Sequence, residues 1–166
     1  MSMETPRNLI WRYIREIKTC MMVTHAGGNI GARPMQFIPR PEQNAIWFFT
    51  DIESYQAHHV QDGSRTCLTF ADVRECIFVS VTGEVTRVTA ADTIKDLWND
   101  TAAKHFPRGP EDPTVVLLRF DPEAGQYWDA HSSRIAMAIN FLAATIIGAR
   151  PSLGTSGTAE LASGRS

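Results

Sequence analysis

The sequence lacks a dominant charge. Sixteen Lys and Arg stand against 18 Asp and Glu, a formal net charge of −2, so no broad basic field invites nucleic acid. It also lacks a run of about 20 apolar residues, the length a bilayer span needs. The longest apolar stretch, 135–149, is interrupted by Asn140 and Thr145. "MSMETPRNLI" carries Glu4 and no apolar run, which reads as no signal peptide and predicts a cytoplasmic protein without membrane association. Cysteine is scarce: Cys20, Cys67 and Cys76 lie in strand-like runs with no C-x-x-C spacing, so reduced, buried thiols are expected. No G-x-G-x-x-G, Walker loop, H-E-x-x-H or G-x-S-x-G occurs, which removes the common nucleotide, zinc-protease and hydrolase signatures. The adjacent His58 and His59 diverge by about 100° on a helix, and no further ligand stands at metal-binding spacing. No metal site is expected.

What is present is an ordinary globular mixture in 166 residues, 43% hydrophobic and 20% charged, enough for one domain with a continuous core. Leu9, Ile10, Tyr13, Ile14 and Ile17 recur at helical spacing behind Thr5 and Pro6, a cap and a first-turn proline. "TCMMVTH", "IGARPMQFI" and "AIWFFT" read as strands, the first two joined by a glycine turn. A short helix is expected from about Tyr55 to Gln61. "RTCLTFAD" and "CIFVSVTGEVTRV" follow as strands, with Gly83 suggesting a bulge. Asp92 is placed as the cap of a helix over "TIKDLWNDTAAKHF". "TVVLLRF" and "GQYWDA" read as the last strands, and a final helix is expected from Ser132 or Ser133 to about Ile147. The segment 155–166 reads as a mobile tail behind a single domain, 1–154. Mostly consecutive strands with few crossovers predict an α+β fold, a six- to seven-stranded antiparallel barrel with flanking helices.

Two short stretches carry the chemistry. "GNIGARPMQF" places a fixed cation, Arg33, beside Pro34, which gives a sheet no N–H donor and so belongs on an edge or at a bulge. Either the strand is an edge with a solvated arginine, or it forms an anion-binding wall. In "FFTDIES", Thr50 ends a strand and Ser54 precedes a helix whose first N–H groups are unpaired and partly positive, a natural phosphate cradle. In an antiparallel pair Arg33 would lie across from Thr50, and its guanidinium suits phosphate oxygens. Ser54 would equally serve as an ordinary helix cap.

Taken in order, "ARPM", "IWFFTDIES", "VSVTGEV" with Asp92, "LWND…FPRGPEDPTVVLLRF", "YWDA" and "GARPSLG" resemble the general stress protein 26 branch of the pyridoxamine 5′-phosphate oxidase-like family. The likeness runs from about Leu9 to Gly154. It implies an FMN-binding split β-barrel, a homodimer with two flavin sites at the subunit interface. It further implies that Arg33 contacts the FMN phosphate region, while the backbone of Pro34, Met35 and Gln36 borders the isoalloxazine ring. Phe49 and Thr50 would line the site, Ser54 would start the phosphate-binding helix, and Trp128 matches an aromatic residue supplied near the flavin from the partner subunit.

The sequence departs from that pattern in places. Gln56 stands where the family commonly has a phosphate-binding lysine, which predicts weaker FMN retention, since a neutral hydrogen bond contributes less than a charged one. His105 replaces a tryptophan before Phe106-Pro107. Ile38 stands near the place of the lysine that holds substrate phosphate in true pyridoxamine phosphate oxidases, and "GTAELASGRS" lacks their C-terminal Arg/His pair, so that specific oxidation is not expected. The expectation is an FMN-dependent oxidoreductase acting on a small molecule, with NADH or NADPH as possible donor and no side chain assigned as catalytic acid or base. The alternatives are a non-catalytic flavin-binding stress protein, a sensor or reserve, and a split barrel using haem or a deazaflavin.

Overall fold

The computed structural model describes residues 4–26, 28–54, 57, 60, 64–130 and 155–162. Helix α1 (Pro6–Glu16) opens the chain. Thr5 caps it by accepting from the Asn8 N–H, Pro6 occupies the first turn, and Ile10, Trp11, Tyr13 and Ile14 form its buried face. The strands β1 (Thr19–Ala26), β2 (Asn29–Gln36), β3 (Ile38–Arg40), β4 (Ala45–Asp51), β5 (Ser64–Asp72), β6 (Ile77–Val88), β7 (Val115–Asp129) and β8 (Thr155–Glu160) follow, with α2 (Ala91–Leu97) and α3 (Asp100–His105) between β6 and β7.

All strands join one antiparallel sheet in the order β2-β1-β5-β6-β7-β4-β3, with β8 added to β7. The first and last strands of that path, β2 and β3, are successive parts of one run of chain, separated only by Phe37. The run therefore serves one edge of the sheet with Asn29–Gln36 and the opposite edge with Ile38–Arg40. The sheet curls into a barrel that is split, not closed, at this segment.

The barrel is filled from the inner sheet face and sealed by α1. Ile10, Ile14, Met22, Phe48, Leu68, Val81, Leu118 and Phe120 are all at most 1% exposed within this core. A second cluster packs Ile94 and Leu97 of α2 against Ala45, Trp47, Val115 and Leu117, so β4 and the first half of β7 are covered on both faces. That explains their unbroken apolar runs, where other strands alternate. The β6–β7 register shifts at Thr82/Gly83, opposite Pro122. A Cβ on Gly83 would lie 2.2 Å from the Asp121 carbonyl oxygen, so the bulge expected at this glycine exists and depends on it.

Several expectations are corrected. "TVVLLRF" and "GQYWDA" are one strand, β7, because Pro122 sits at the bulge where its missing N–H is tolerated. The helix after β6 is two helices: Asn99 breaks it by accepting from the Thr101 and Ala102 N–H groups, capping α3 anew. Ala90, not Asp92, is the N-cap of α2. Part of the expected mobile tail is strand β8, whose Gly157 lies flat against the Tyr127 ring and whose neighbour Leu161 is fully buried. Of the cysteines only Cys20 is buried; burial pushes its thiol up to about 12. Cys67 is half-buried on the outer sheet face, 3.4 Å from the Ser80 hydroxyl, and Cys76 sits at φ 53 in the β5–β6 turn. The expected helix near 55–61, except Ala57 and Val60, and the final helix over 133–147 lie outside the described residues, as do His58, His59 and Gln56.

Candidate functional site

The split opens a groove of about 1010 Å³. One wall is the split segment itself, Pro34 to Pro39, and the floor includes Phe49 at the end of β4. Phe37 ties this wall to the core through an edge-on contact with Phe70, ring centres 5.1 Å apart. Phe49 is held from the other side by Trp98, edge-on at 5.5 Å. Pro34, Met35, Gln36 and Phe49, four of the residues singled out in the sequence, thus share one cavity. β2 pairs only with β1, Pro34 facing Met21, so the ARPM stretch is an edge strand, and Pro34 to Gln36 of that edge border the cavity.

Beside the groove, β4 turns toward Ala57. The Thr50 and Ser54 hydroxyls are hydrogen-bonded at 2.7 Å, and Ser54 Oγ accepts the Ala57 N–H at 3.2 Å. A bond to the N–H three residues on is the one a capping serine makes. Two hydroxyls carry two protons, and their mutual bond uses one. One O–H remains for an acceptor from outside.

Arg33 is placed differently from expectation. β4 pairs with β3 and β7, Thr50 lying opposite Val116, so Arg33 is not across from Thr50. Its Cα pairs with Met22, and its guanidinium folds back over Gly31, 3.5 Å from where a Cβ there would stand. Trp128 does not line the groove of its own chain. It is 43% exposed on the outer sheet face, paired across strands with Phe78, 41% exposed.

The far wall was not anticipated. It comprises Asn99, Thr101, Ala102 and His105 to Arg108 around α3, while Arg15, Lys18 and Thr19 at the junction of α1 and β1 continue the split side, Thr19 pairing with Gln36. The loop after α3 is ordered by Asp112, whose carboxylate accepts a forked pair from Arg108 at 2.8 and 2.9 Å and also takes the Thr114 N–H and hydroxyl. These bonds, the Thr114 N–H first, hold its carboxyl below the usual carboxylate range despite burial. The only signal for this wall was "HFPRGPEDP", a rigid loop whose partner across the groove, the end of α1, is distant in sequence.

Residues 6–152 match the family model described as pyridoxamine 5′-phosphate oxidase like. The chain belongs to that family. Within the pyridoxamine 5′-phosphate oxidase-like proteins, a structure from a Jannaschia species described as a general stress protein 26 is similar over 91% of this chain and 95% of that one, at 22% identity and a TM-score of 0.70. A general stress family protein from Xanthomonas campestris shares 27% identity over 76% of this chain and 90% of its own, TM-score 0.68. The general stress FMN/FAD binding protein of Xanthomonas citri shares 27% identity over 73% of this chain and 86% of its own, TM-score 0.66. No curated protein matches the chain. These likenesses accord with the split barrel and with a flavin-binding family. No described helix is long and apolar enough to cross a membrane.

Proposed function

We propose that this protein is an FMN-binding oxidoreductase that works as a homodimer, with the flavin ring against the split segment. The observation that carries the reading is the groove itself. Its lining carries Pro34, Met35 and Phe49, and Thr50, the next residue of β4 after Phe49, shares a hydrogen bond with Ser54 in a hydroxyl pair that has a proton to give. A flavin needs this division: a flat apolar face for the ring and polar donors for the phosphate tail. The residues present fit it. Pro34, Met35 and Gln36 would border the ring through their backbone, on the strand edge that β1 leaves unpaired. Thr50, Ser54 and Gln56 would take the phosphate, with Arg33 supplying positive charge from β2.

When bound, FMN supplies hydride acceptance and donation; the chain supplies the anchoring and the water-excluding wall. The volume stands at the upper end of ordinary ligand pockets, which favours a cofactor with a second molecule over a flavin store. The dimer rests on the outer sheet face. Its rows Met21–Thr69–Ser80–Gln126–Thr158 and Ala71–Phe78–Trp128–Ser156 contain no charged residue across four or five strands. An uncharged face with two exposed aromatics suits burial against a second copy, and burial there would carry Trp128 toward the partner's groove.

The test is a titration of the purified full chain with FMN, followed by flavin absorbance and fluorescence, then anaerobic addition of NADH or NADPH. Saturable binding at one FMN per chain and bleaching by a nicotinamide donor are expected. A strong Soret band, or no FMN binding at all, would overturn the reading. Binding without reduction by any donor would leave the storage alternative in its place.

A further inference from the structure

The groove carries more cations than carboxylates, and two of the cations stand where α1 meets β1, beside the split segment. Arg15, Lys18 and Arg108 line it with two carboxylates, Asp51 and Asp112. Asp112 is taken by Arg108 and Thr114, and Asp51 accepts the Glu53 N–H at 2.7 Å. The Arg108–Asp112 pair cancels locally. Among the described residues no carboxylate lies within ion-pair distance of Arg15 or Lys18. They stand near one another around the end of α1, with the Thr19 hydroxyl beside them.

We propose that Arg15 and Lys18 form an anion-binding subsite for the second molecule of the groove. That molecule is a small acid with a planar or apolar body, its carboxylate or phosphate held by the two cations. The inference rests on the proposed flavin reading only for what occupies the rest of the groove. The physical case is independent of it. Two cations over a cavity also lined by Ile17, Phe37 and Phe106 offer one charged grip and an apolar bed, and an arginine fork beside a lysine point charge grips carboxylate or phosphate oxygens from two directions. The phosphate of a flavin would lie at the Thr50–Ser54 end, so the two anions do not compete for the same donors.

The experiment uses 4-fluorobenzoate, 4-fluorophenyl phosphate and the neutral 4-fluorobenzamide with the full chain, binding being read by 19F NMR with and without FMN. The acids are expected to bind and the amide to bind at least tenfold more weakly. The stronger of the two acids identifies the headgroup. Arg15→Gln with Lys18→Gln should weaken both acids at least tenfold while leaving amide and FMN affinities unchanged. Equal binding of acid and amide, or acid binding untouched in the double variant, would overturn the subsite. Failure of the wild-type chain to bind FMN would instead count against the flavin reading, because the fluorine signal reports the acid either way.

Discussion

Two regions of this molecule leave apolar side chains uncovered, and they do so in opposite shapes. At the split, Pro34, Met35 and Phe49 line a concave groove that Arg15, Lys18 and Thr19 also border. On the outer face, Phe78 and Trp128 stand on a sheet surface among serine, threonine and glutamine. A concave apolar wall with a few aimed polar groups suits a small ligand, whereas an uncharged sheet face suits another protein surface. In the proposed reading the first binds the cofactor and the second mediates self-association, and Trp128, which does not line the groove of its own chain, links the two.

The largest expected effect comes from putting charge on the face. Phe78→Asp with Trp128→Asp should convert the proposed dimer to a species sedimenting at about 18.5 kDa, since like charges facing one another in an interface cost several kcal/mol. FMN should be lost with it. A dimer that survives both substitutions would move the interface elsewhere. Damage to the groove should separate the two regions. Thr50→Val with Ser54→Ala is expected to weaken FMN binding by about thirtyfold, the scale of a lost hydrogen bond to a charged group, while sedimentation stays unchanged. An unaltered FMN affinity would remove the hydroxyl pair from the site.

Gln56→Lys should act in the opposite direction, tightening FMN about tenfold by replacing a neutral donor with a charged one. A titration showing no gain would mean that the phosphate lies elsewhere. The smallest effect concerns the far wall. The folded carboxyl of Asp112 titrates below its ordinary value, so its contribution to stability is complete above that value and is lost as pH falls through the lowered one. Below about pH 4, where unfolded carboxylates protonate, the loop 106–114 should lose protection in hydrogen exchange before β5 and β6 do. Asp112→Asn should show the same loss at neutral pH, and equal protection in both proteins would contradict the role given to this carboxylate.

Much of this was legible in the chain because it is local. A glycine turn, a proline within a strand, and alternation along β5 and β6 reveal antiparallel strands wherever they end up in space. The pairing of β2 and β3 with opposite edges of the sheet was not legible, because strand order is set by long-range closure. Arg33 was therefore set across from Thr50, which a β2–β4 ladder would require and which the observed order excludes. β8 was missed for a related reason: "GTSGTAEL" is small and polar, and its order comes from the β7 edge and the buried Leu161. The groove joins the end of α1 to α3, about 90 positions apart, and no motif spans that distance.

The central claim, that each flavin site draws on two chains, is tested most directly by hybrid dimers. Co-expression of a Trp128→Ala chain with a Thr50→Val, Ser54→Ala chain, each carrying a different tag, yields mixed dimers by tandem purification. If the site is shared, each mixed dimer holds one site with both defects and one with neither. FMN should then bind one equivalent per dimer at wild-type affinity, although both parent variants bind weakly. If no wild-type site reappears in the hybrid, the groove is complete within a single chain and the account of Trp128 is wrong.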